Sequence, residues 1–301
     1  MKGTSLSGTT AVITGAGSGI GRATALLAAE KGARLVLTDV SADTLGETVR
    51  LVNATGGPGG GAGPCAADDI VAHHEAFDVR DVDAVEAFVA RTHDVTGPVD
   101  VVMNVAGIST WGRIQDLTTE HWQRTVDIDL MGPIHVLAAF VPPMIEARRG
   151  GHVVNVSSAA GLFGLPIHAP YSAAKFGLRG VSEVLRFDLE PHHIGVTLVC
   201  PGAVNTPLVG TVDIVGVDLD DPTVRKAVDS FARHAVTPEK AAAAIVRGVE
   251  KGRYMVYTSQ DIRALHLTQR YIPFVYNLIM RVMNQQARRV LKRKTRPPVG
   301  R

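Results

Sequence analysis

The chain has 301 residues, of which 46% are hydrophobic, and a formal net charge of +2 at pH 7. This length and composition predict a globular protein with a sizeable core and exclude a disordered or fibrous chain. The two cysteines, Cys65 and Cys200, match neither a disulfide framework nor a zinc spacing, and we find neither a signal peptide nor an uninterrupted run of about 18 apolar residues, so we expect a cytoplasmic protein.

Short apolar runs of strand length alternate with longer segments of helical periodicity. This alternation predicts an α/β fold, in which about seven parallel strands form a doubly wound sheet with helices on both faces. The predicted strands are 9–14, 33–39, 73–79, 99–105, 151–158, 195–200 and 253–258, and the predicted helices are 19–30, one ending near 53, 82–95, one ending near 147, 171–189 and 238–250.

A glycine-rich stretch, TGAGSGIG at residues 14–21, joins the first predicted strand to the first predicted helix. Glycines there allow a sharp turn and a close approach of the backbone to a pyrophosphate, which then rests on the N–H groups of the helix N-terminus. Asp39 ends the second predicted strand, where a carboxylate can accept hydrogen bonds from the adenosine ribose and repel a 2′-phosphate. These features predict a dinucleotide site that prefers NAD over NADP.

Two segments interrupt the alternation. Residues 56–70 are too rich in glycine and proline for regular structure, and we expect a surface loop without chemistry. Residues 202–236 follow the sixth strand, at the edge of the sheet where ligands bind. Their apolar side chains suit a substrate lid, although a plain packed insertion has the same pattern.

A tyrosine and a lysine stand four residues apart at Tyr171 and Lys175. On a helix these positions share one face, so the phenol and the ammonium can enter the same cavity. A nearby positive charge favours the phenolate and brings the phenol pKa towards neutral pH. The same spacing also occurs on an ordinary helix face with a solvated lysine, so the pair alone leaves both interpretations open.

Several motifs in one order and spacing make the chain resemble the short-chain dehydrogenase/reductase family. The resemblance covers about residues 7–258 and implies a Rossmann fold. It rests on TGxxxGxG at 14–21, Asp39, the pair Asp78 and Val79, NVAG at 104–107, Ser158 thirteen residues before the tyrosine of YxxxK, and PGAVNT at 201–206.

The resemblance implies a role for each matching position. Ser158 would hold the substrate oxygen, Tyr171 would be the acid/base, and Lys175 would bind the nicotinamide ribose and lower the phenol pKa. The implied cofactor contacts are Gly15, Ser18, Ile20 and Gly21 at the pyrophosphate, Asp39 at the adenosine ribose, Asp78 and Val79 at the adenine, Asn104, Ala106 and Gly107 near the nicotinamide ribose, and Pro201, Gly202, Val204 and Thr206 near the carboxamide.

Two positions depart from the family pattern. Val105 replaces an asparagine whose side chain is not expected to touch the cofactor. Asp129 stands where the family places a catalytic-site asparagine, and an ionised aspartate accepts hydrogen bonds but cannot donate them. We therefore expect catalysis to persist with an altered pH profile.

Residues 259–301 lie outside the resemblance, and we expect a basic, amphipathic, helical C-terminal extension after one dehydrogenase domain at 1–258. No Asp or Glu follows Asp261, so residues 1–261 carry a net charge of −8 and residues 262–301 a net charge of +10. Such an extension suits an anionic membrane surface. Alternatively, its apolar stripe packs on the body or on a second subunit. No recognition motif for nucleic acid accompanies it.

These observations predict an NAD-dependent oxidoreductase that interconverts a hydrophobic alcohol, secondary or primary, and its ketone or aldehyde. The resemblance implies a homodimer or homotetramer built on the helices that contain Asp129 and Tyr171. None of the 11 histidines lies in a metal-ligand pattern, so we expect no metal. The alternative is an NAD-binding scaffold localised by its basic tail, which Asp129 alone favours. Candidate substrate contacts are Trp111, Leu162, Phe163, Pro166, Ile167 and the apolar part of residues 208–217.

Overall fold

The computed structural model describes residues 3–55, 70–206, 213–216 and 235–291. Its main element is a seven-stranded sheet in which every neighbouring pair of strands is parallel. The doubly wound α/β fold predicted from the sequence is therefore confirmed. The strands of this sheet are β1 (Thr10–Thr14), β2 (Arg34–Asp39), β3 (Val71–Ala76), β4 (Val101–Asn104), β6 (Gly151–Val156), β7 (Ile194–Cys200) and β9 (Met255–Tyr257). Their order across the sheet is β3-β2-β1-β4-β6-β7-β9.

Two further short strands form a separate parallel pair that the sequence did not predict. They are β5 (Thr110–Trp111) and β8 (Asp213–Ile214). The helices are α1 (Gly19–Glu30), α2 (Ala42–Ala54), α3 (Val82–Thr96), α4 (Thr119–Val126), α5 (Gly132–Ala147), α6 (Ala169–Asp188), α7 (Pro238–Glu250), α8 (Gln260–Tyr271) and α9 (Pro273–Leu291).

The two faces of the sheet carry separate cores. Along β1, Ala11 and Ile13 pack with α1, α2 and α7, whereas Val12 packs with α3 and α5. Successive strand residues point to opposite faces, so a strand covered on both sides must be apolar throughout. Helix α1 buries small residues that allow it to lie close to the sheet, among them Ala23, Ala25, Ala28 and Ala29.

The third strand begins and ends earlier than predicted. The sequence indicated residues 73–79, but β3 ends at Ala76, so Asp78 and Val79 follow the strand. Polar side chains at His73, His74 and Glu75 hide the strand pattern here, because β3 is the outermost strand and is only partly buried. Helix α6 begins at Ala169, two residues before the predicted start.

The helix that flanks β4 is continuous from Thr119 to Ala147, because a π-helical turn at Asp127–Met131 joins α4 to α5. Over 18 residues it is apolar and long enough to span a membrane by composition alone. Its apolar side chains instead form part of the core beneath the sheet, through Val136, Leu137, Phe140, Val141 and Met144.

Helices α8 and α9 follow the last strand. Ile262, Leu265 and Tyr276 from these helices pack on a cluster that contains Phe163 and Cys200, so the beginning of the C-terminal segment is joined to the sheet domain. The expected loop at 56–70 and most of the expected lid at 202–236 lie outside the described residues, as do residues 292–301.

Candidate active site

The glycine-rich loop follows β1. Strands β2 and β4 lie on opposite sides of β1, so the order in which the chain adds strands to the sheet reverses at this point. Gly15 has a φ of 66°, which favours glycine, and a Cβ there would stand 2.7 Å from the Cα of Ala106. A Cβ on Gly21 would overlap the carbonyl oxygen of Gly15. The Ser18 side chain makes no cap hydrogen bond at the start of α1. The loop and the helix N-terminus thus form a cradle suited to an anion.

Asp39 lies beside this cradle at the end of β2. Its carboxylate accepts hydrogen bonds from the N–H of Gly17 at 2.8 Å and from the N–H of Ser41 at 3.0 Å. Among the described residues, no Lys or Arg forms an ion pair with Asp39. Within the part of the chain that the structure describes, no ion pair therefore compensates a carboxylate charge at the position where the sequence placed an adenosine ribose contact.

Two residues that the sequence reasoning missed hold the loop in place. The Thr14 hydroxyl accepts hydrogen bonds from the N–H groups of Val105 and Ala106, at 3.0 and 3.1 Å, and so ties β1 to the chain after β4. The Arg22 guanidinium donates to the Gly17 carbonyl at 2.6 Å and to Glu47 at 2.7 Å. The threonine that opens the TGxxxGxG motif was the available signal for the first of these contacts.

The expected adenine contacts have partners of their own. Arg80 donates to the Asp78 carboxylate from its backbone and side chain, and this pairing lowers the Asp78 pKa. The Val79 side chain is buried against Gly132 at the start of α5, and the Val79 carbonyl contacts His135. The Val79 side chain therefore packs in the interior beside α5.

The sheet edge near β4 and β6 is polar and buried. The Asn104 amide donates to the Asn155 side chain at 2.9 Å, whereas its Oδ1 has no hydrogen-bond partner among the described residues. Gly107 follows closely, and a Cβ there would stand 2.5 Å from Asp129 Oδ1 and 3.3 Å from Lys175 Nζ. Val105 is partly buried and packs on the core.

Ser158, Tyr171 and Lys175 converge at this edge. The Ser158 side chain lies near the Tyr171 hydroxyl and lowers its pKa, and it accepts the N–H of Ala160 at 3.1 Å, so it also caps the next turn. The Lys175 ammonium lies 5.6 Å from the centre of the Tyr171 ring and donates to the Val156 carbonyl at 3.2 Å. The i, i+4 spacing on α6 places the phenol and the ammonium next to each other on one face of the helix.

Asp129 lies on the π-helical turn and is completely buried. Its Oδ1 accepts the N–H of Ile108 at 2.9 Å and stands 3.4 Å from Lys175 Nζ, whereas Oδ2 has no hydrogen-bond partner among the described residues. Burial raises the Asp129 pKa, and Lys175 and the Ile108 N–H oppose that increase. The departure from the family asparagine therefore puts a buried carboxyl group in contact with the lysine of the YxxxK pair.

The Tyr171 pKa differs from the sequence expectation. Lys175 and the Ser158 hydrogen bond lower it, but burial and the nearby Asp129 raise it, and the net shift is upward. The expectation that Lys175 favours the phenolate agrees with the direction of its effect, but burial outweighs that effect and the net shift of the pKa is away from neutral pH. Burial in the folded chain penalises the charged phenolate more than one lysine compensates.

The last four residues that we expect to contact the cofactor lie in the segment after β7. The Pro201 carbonyl accepts the N–H of Ala159 at 2.7 Å, and the Gly202 N–H donates to Thr258 at 3.3 Å. Val204 is buried and pairs with Val236 in a parallel bridge. Thr206 is partly buried at the end of this described stretch. This segment therefore borders the turn that contains Ser158.

The expected substrate contacts divide into two groups. Trp111 is half-buried, and its ring lies 4.3 Å from the ring of His168, which in turn lies 6.4 Å from Tyr171. Leu162 and Phe163 are instead buried against Leu198 and Cys200, so the prediction that they face the substrate was wrong. Both lie in a turn after β6 that α8 and α9 cover, a contact that no local sequence pattern reveals.

His168 is a site residue that the sequence reasoning missed. Its Nδ1 contacts the Pro166 carbonyl at 2.7 Å, which requires Nδ1 to donate and leaves Nε2 as a hydrogen-bond acceptor. Burial lowers its pKa to about 4, so the ring is neutral at physiological pH. Its position three residues before Tyr171 was the only signal in the sequence. Among the described residues, no group of three His, Cys, Asp or Glu side chains is arranged to hold a metal.

The doubly wound parallel sheet with helices on both faces places the chain in the Rossmann class of folds. The family model described as short chain dehydrogenase matches residues 9–214, and the chain belongs to this family. A solved short chain dehydrogenase/reductase from Burkholderia phymatum, in complex with NAD, has the same fold, with a TM-score of 0.76 and 24% identity over 99% of each chain.

Three curated relatives have higher identity. The putative oxidoreductase SadH of Mycobacterium tuberculosis is 36% identical over 92% of this chain and 95% of SadH. The probable oxidoreductase EphD of the same organism is 34% identical over 87% of this chain, but the chain spans only 43% of EphD. The (-)-trans-carveol dehydrogenase of Rhodococcus erythropolis is 36% identical over 72% of this chain and 79% of that enzyme.

Proposed function

We propose that this protein is an NAD-dependent dehydrogenase that interconverts a hydrophobic alcohol and its carbonyl compound, with a secondary alcohol as the first choice and a primary alcohol as the alternative. The observation that carries the proposal is the convergence of Ser158, Tyr171 and Lys175 beside the glycine-rich cradle at the carboxyl edge of the sheet. A phenol, a hydroxyl and an ammonium arranged in this way suit proton transfer to and from a substrate oxygen.

The residues present fit a nicotinamide dinucleotide. Gly15, Ser18, Ile20 and Gly21 form the cradle for the pyrophosphate, and the unpartnered Asn104 Oδ1 offers a buried acceptor where the nicotinamide ribose would lie. The uncompensated charge of Asp39 supports NAD over NADP, because a 2′-phosphate there would face a carboxylate. The remaining contacts assigned to the cofactor are Asp78, Val79, Ala106, Gly107, Lys175, Pro201, Gly202, Val204 and Thr206.

The side chains of the chain divide the acid–base work. In alcohol oxidation, Ser158 holds the substrate oxygen and the deprotonated Tyr171 oxygen takes the hydroxyl proton. The Lys175 ammonium stabilises the phenolate and holds the nicotinamide ribose, while Asp129 positions that lysine. Bound NAD supplies the ring that accepts the hydride from the substrate carbon.

An apolar substrate suits the surroundings of Tyr171. The neutral His168 ring lies 6.4 Å from the Tyr171 ring and 4.3 Å from the Trp111 ring, and neither His168 nor Trp111 carries a charge that would anchor an acidic substrate. The Rhodococcus relative is named as a dehydrogenase of carveol, which is an apolar cyclic alcohol. We extend this class to the present chain.

The assembly we propose is a homodimer or homotetramer built on the helices that contain Asp129 and Tyr171. We propose that it is cytoplasmic and has no nucleic-acid partner. Residues 1–258 would form the dehydrogenase domain. Exposed apolar side chains on α6 support such an assembly, because a helix face in water is otherwise polar. These side chains are Phe176, Val184 and Phe187.

The test measures NADH formation by absorbance with NAD⁺ and a panel of hydrophobic secondary and primary alcohols, with NADP⁺ in parallel. We expect Tyr171→Phe to lower kcat/KM about 1000-fold, because the proton acceptor is lost. We expect NAD⁺ to exceed NADP⁺ about 100-fold or more in kcat/KM, because like charges face each other at Asp39.

Tyr271→Phe is the matched control, because Tyr271 is an exposed tyrosine on α8 and also loses only a hydroxyl group. It should retain the wild-type rate. Tight NAD binding without turnover of any alcohol or carbonyl compound would contradict the dehydrogenase proposal and favour an NAD-binding scaffold.

A further inference from the structure

Helix α9 carries an exposed apolar face. Phe274, Leu278 and Val282 are spaced four residues apart and are 74%, 62% and 46% exposed, so they lie along one side of the helix. Ile279 and Met283 widen this side and are also exposed. We call these five residues the α9 face.

The first turn of α9 is attached to the body. The Tyr276 hydroxyl donates to the Gly164 carbonyl at 3.3 Å, and its ring lies 6.5 Å from Phe163. Beyond this contact, residues 281–286 are all exposed. The helix therefore extends away from the sheet domain, and the alternative that its apolar stripe packs on the body of the same chain is not what the structure shows.

The charge of this segment decides which partner suits the α9 face. Between Ile262 and Arg301 the sequence has ten Lys or Arg and no Asp or Glu. Arg281 and Arg288 lie seven residues apart on α9, and Arg281 is three residues from Leu278, so both border the apolar face. Neither has an ion-pair partner in the part of the chain that the structure describes.

An anionic lipid surface complements both properties at once, because its hydrocarbon boundary takes the apolar side chains while its headgroups pair with the arginines. Contact between two copies of α9, face to face, would bring the arginines of one copy towards those of the other. Like charges held close together oppose that contact.

We propose that the α9 face docks on the surface of an anionic membrane, with the helix lying in the interface without crossing it. The docking helix begins beside the catalytic turn, because Tyr276 contacts Gly164, which lies between Ser158 and Tyr171 in the chain. If the proposed dehydrogenase activity holds, this position gives an alcohol dissolved in the membrane a short path to the site.

The test is co-sedimentation of the full chain with vesicles of phosphatidylcholine containing one-third phosphatidylserine, without cofactor or substrate. We expect binding that weakens at high salt and that falls about tenfold on vesicles of phosphatidylcholine alone. The Leu278→Ser/Val282→Ser variant should bind about tenfold more weakly than wild type, because two apolar side chains no longer enter the interface.

The control is Leu51→Ser/Val95→Ser, which removes the same two residue types from exposed positions on α2 and α3, where they are 40% and 48% exposed. It should bind as wild type does. Equal binding by both double variants, or no binding of the wild type to anionic vesicles, overturns the proposal. A lower molar mass of the Leu278→Ser/Val282→Ser variant in light scattering, without vesicle binding by the wild type, would make the α9 face a subunit interface.

This measurement does not depend on turnover. Loss of vesicle binding would leave the proposed oxidoreductase activity intact, and absence of turnover on every alcohol would leave the vesicle result intact.

Discussion

At the scale of single residues, Asp129 is the side chain that most distinguishes this site. It is completely buried and lies 3.4 Å from the Lys175 ammonium. Its negative charge opposes ionisation of the Tyr171 phenol, whereas Lys175 and Ser158 favour it. An asparagine of the same shape would keep the contact with the Ile108 N–H without that charge.

We expect Asp129→Asn to shift the pH dependence of alcohol oxidation. The Tyr171 pKa is raised in part by Asp129, so removing the charge lowers this pKa. Oxidation needs the phenolate, and the rising limb of kcat/KM against pH should therefore move about one unit towards acid. The measurement is kcat/KM for alcohol oxidation across the pH range in both proteins.

Asp127→Asn is a matched control, because Asp127 is on the same π-helical turn but bonds Gln123 at the surface. It should keep the wild-type profile. Superimposable profiles for wild type and Asp129→Asn, or a profile that does not change between about pH 6 and 10, would argue against any electrostatic role for Asp129.

At the scale of secondary-structure elements, two glycines that both lie in helices differ in whether the fold requires a glycine there. A Cβ on Gly21 in α1 would overlap the Gly15 carbonyl, whereas a Cβ on Gly46 in the middle of α2 would meet nothing within 4 Å. The first glycine is required by a close approach of two backbone segments. The second only lowers the helix propensity of α2.

We expect Gly21→Ala to destabilise the protein by about 2–3 kcal/mol through overpacking and to weaken NADH binding, because the cradle must move. Gly46→Ala should stabilise it by about 0.5–1 kcal/mol and leave NADH binding unchanged. Chemical unfolding and NADH fluorescence titration measure both effects. Equal stability of the two variants would show that the backbone at Gly21 relaxes freely.

At the scale of the whole molecule, a buried histidine between two strands of the sheet makes the free energy of unfolding depend on pH. His152 on β6 lies opposite Gly195 on β7, and a Cβ at Gly195 would overlap its ring. The Thr197 hydroxyl donates to the Arg253 carbonyl at 2.7 Å, so His152 Nε2 must donate to Thr197 at 2.8 Å. Burial lowers the His152 pKa from 6.5 to about 4.

We expect the free energy of unfolding to fall as the pH drops from about 6.5 to about 4, since the unfolded chain binds a proton at His152 there and the folded chain does not. The contribution of this one residue is about 3 kcal/mol. Urea unfolding of wild type and His152→Gln across this pH range measures it, and the variant should lose less stability.

The comparison with His192→Gln isolates the effect of burial, because His192 is an exposed histidine in the turn before β7. That variant should keep the wild-type slope of stability against pH. Parallel curves for wild type and His152→Gln would mean that the buried ring is not the group that titrates.

Much of the architecture was predictable because apolar periodicity is a local signal. Strands β4 and β7 are buried on both faces and read as continuous apolar runs, and the sequence located both. Strand β3 lies at the outer edge with His73, His74 and Glu75, so its boundaries were wrong by two or three residues. The pair β5 and β8 is too short, at two residues each, to have a period.

The sequence by itself determined the doubly wound sheet, the glycine-rich turn and the Tyr171 and Lys175 pair, because strand apolarity, glycine spacing and the i, i+4 step each act over a few neighbouring residues. The roles assigned to these residues, and the preference for NAD, stay predictions. Only the tertiary structure decided the upward shift of the Tyr171 pKa, the burial of Leu162 and Phe163, the position of His168 and the exposure of the α9 face. Each of these depends on groups distant in sequence, and burial is a property of the packed chain that no local pattern contains.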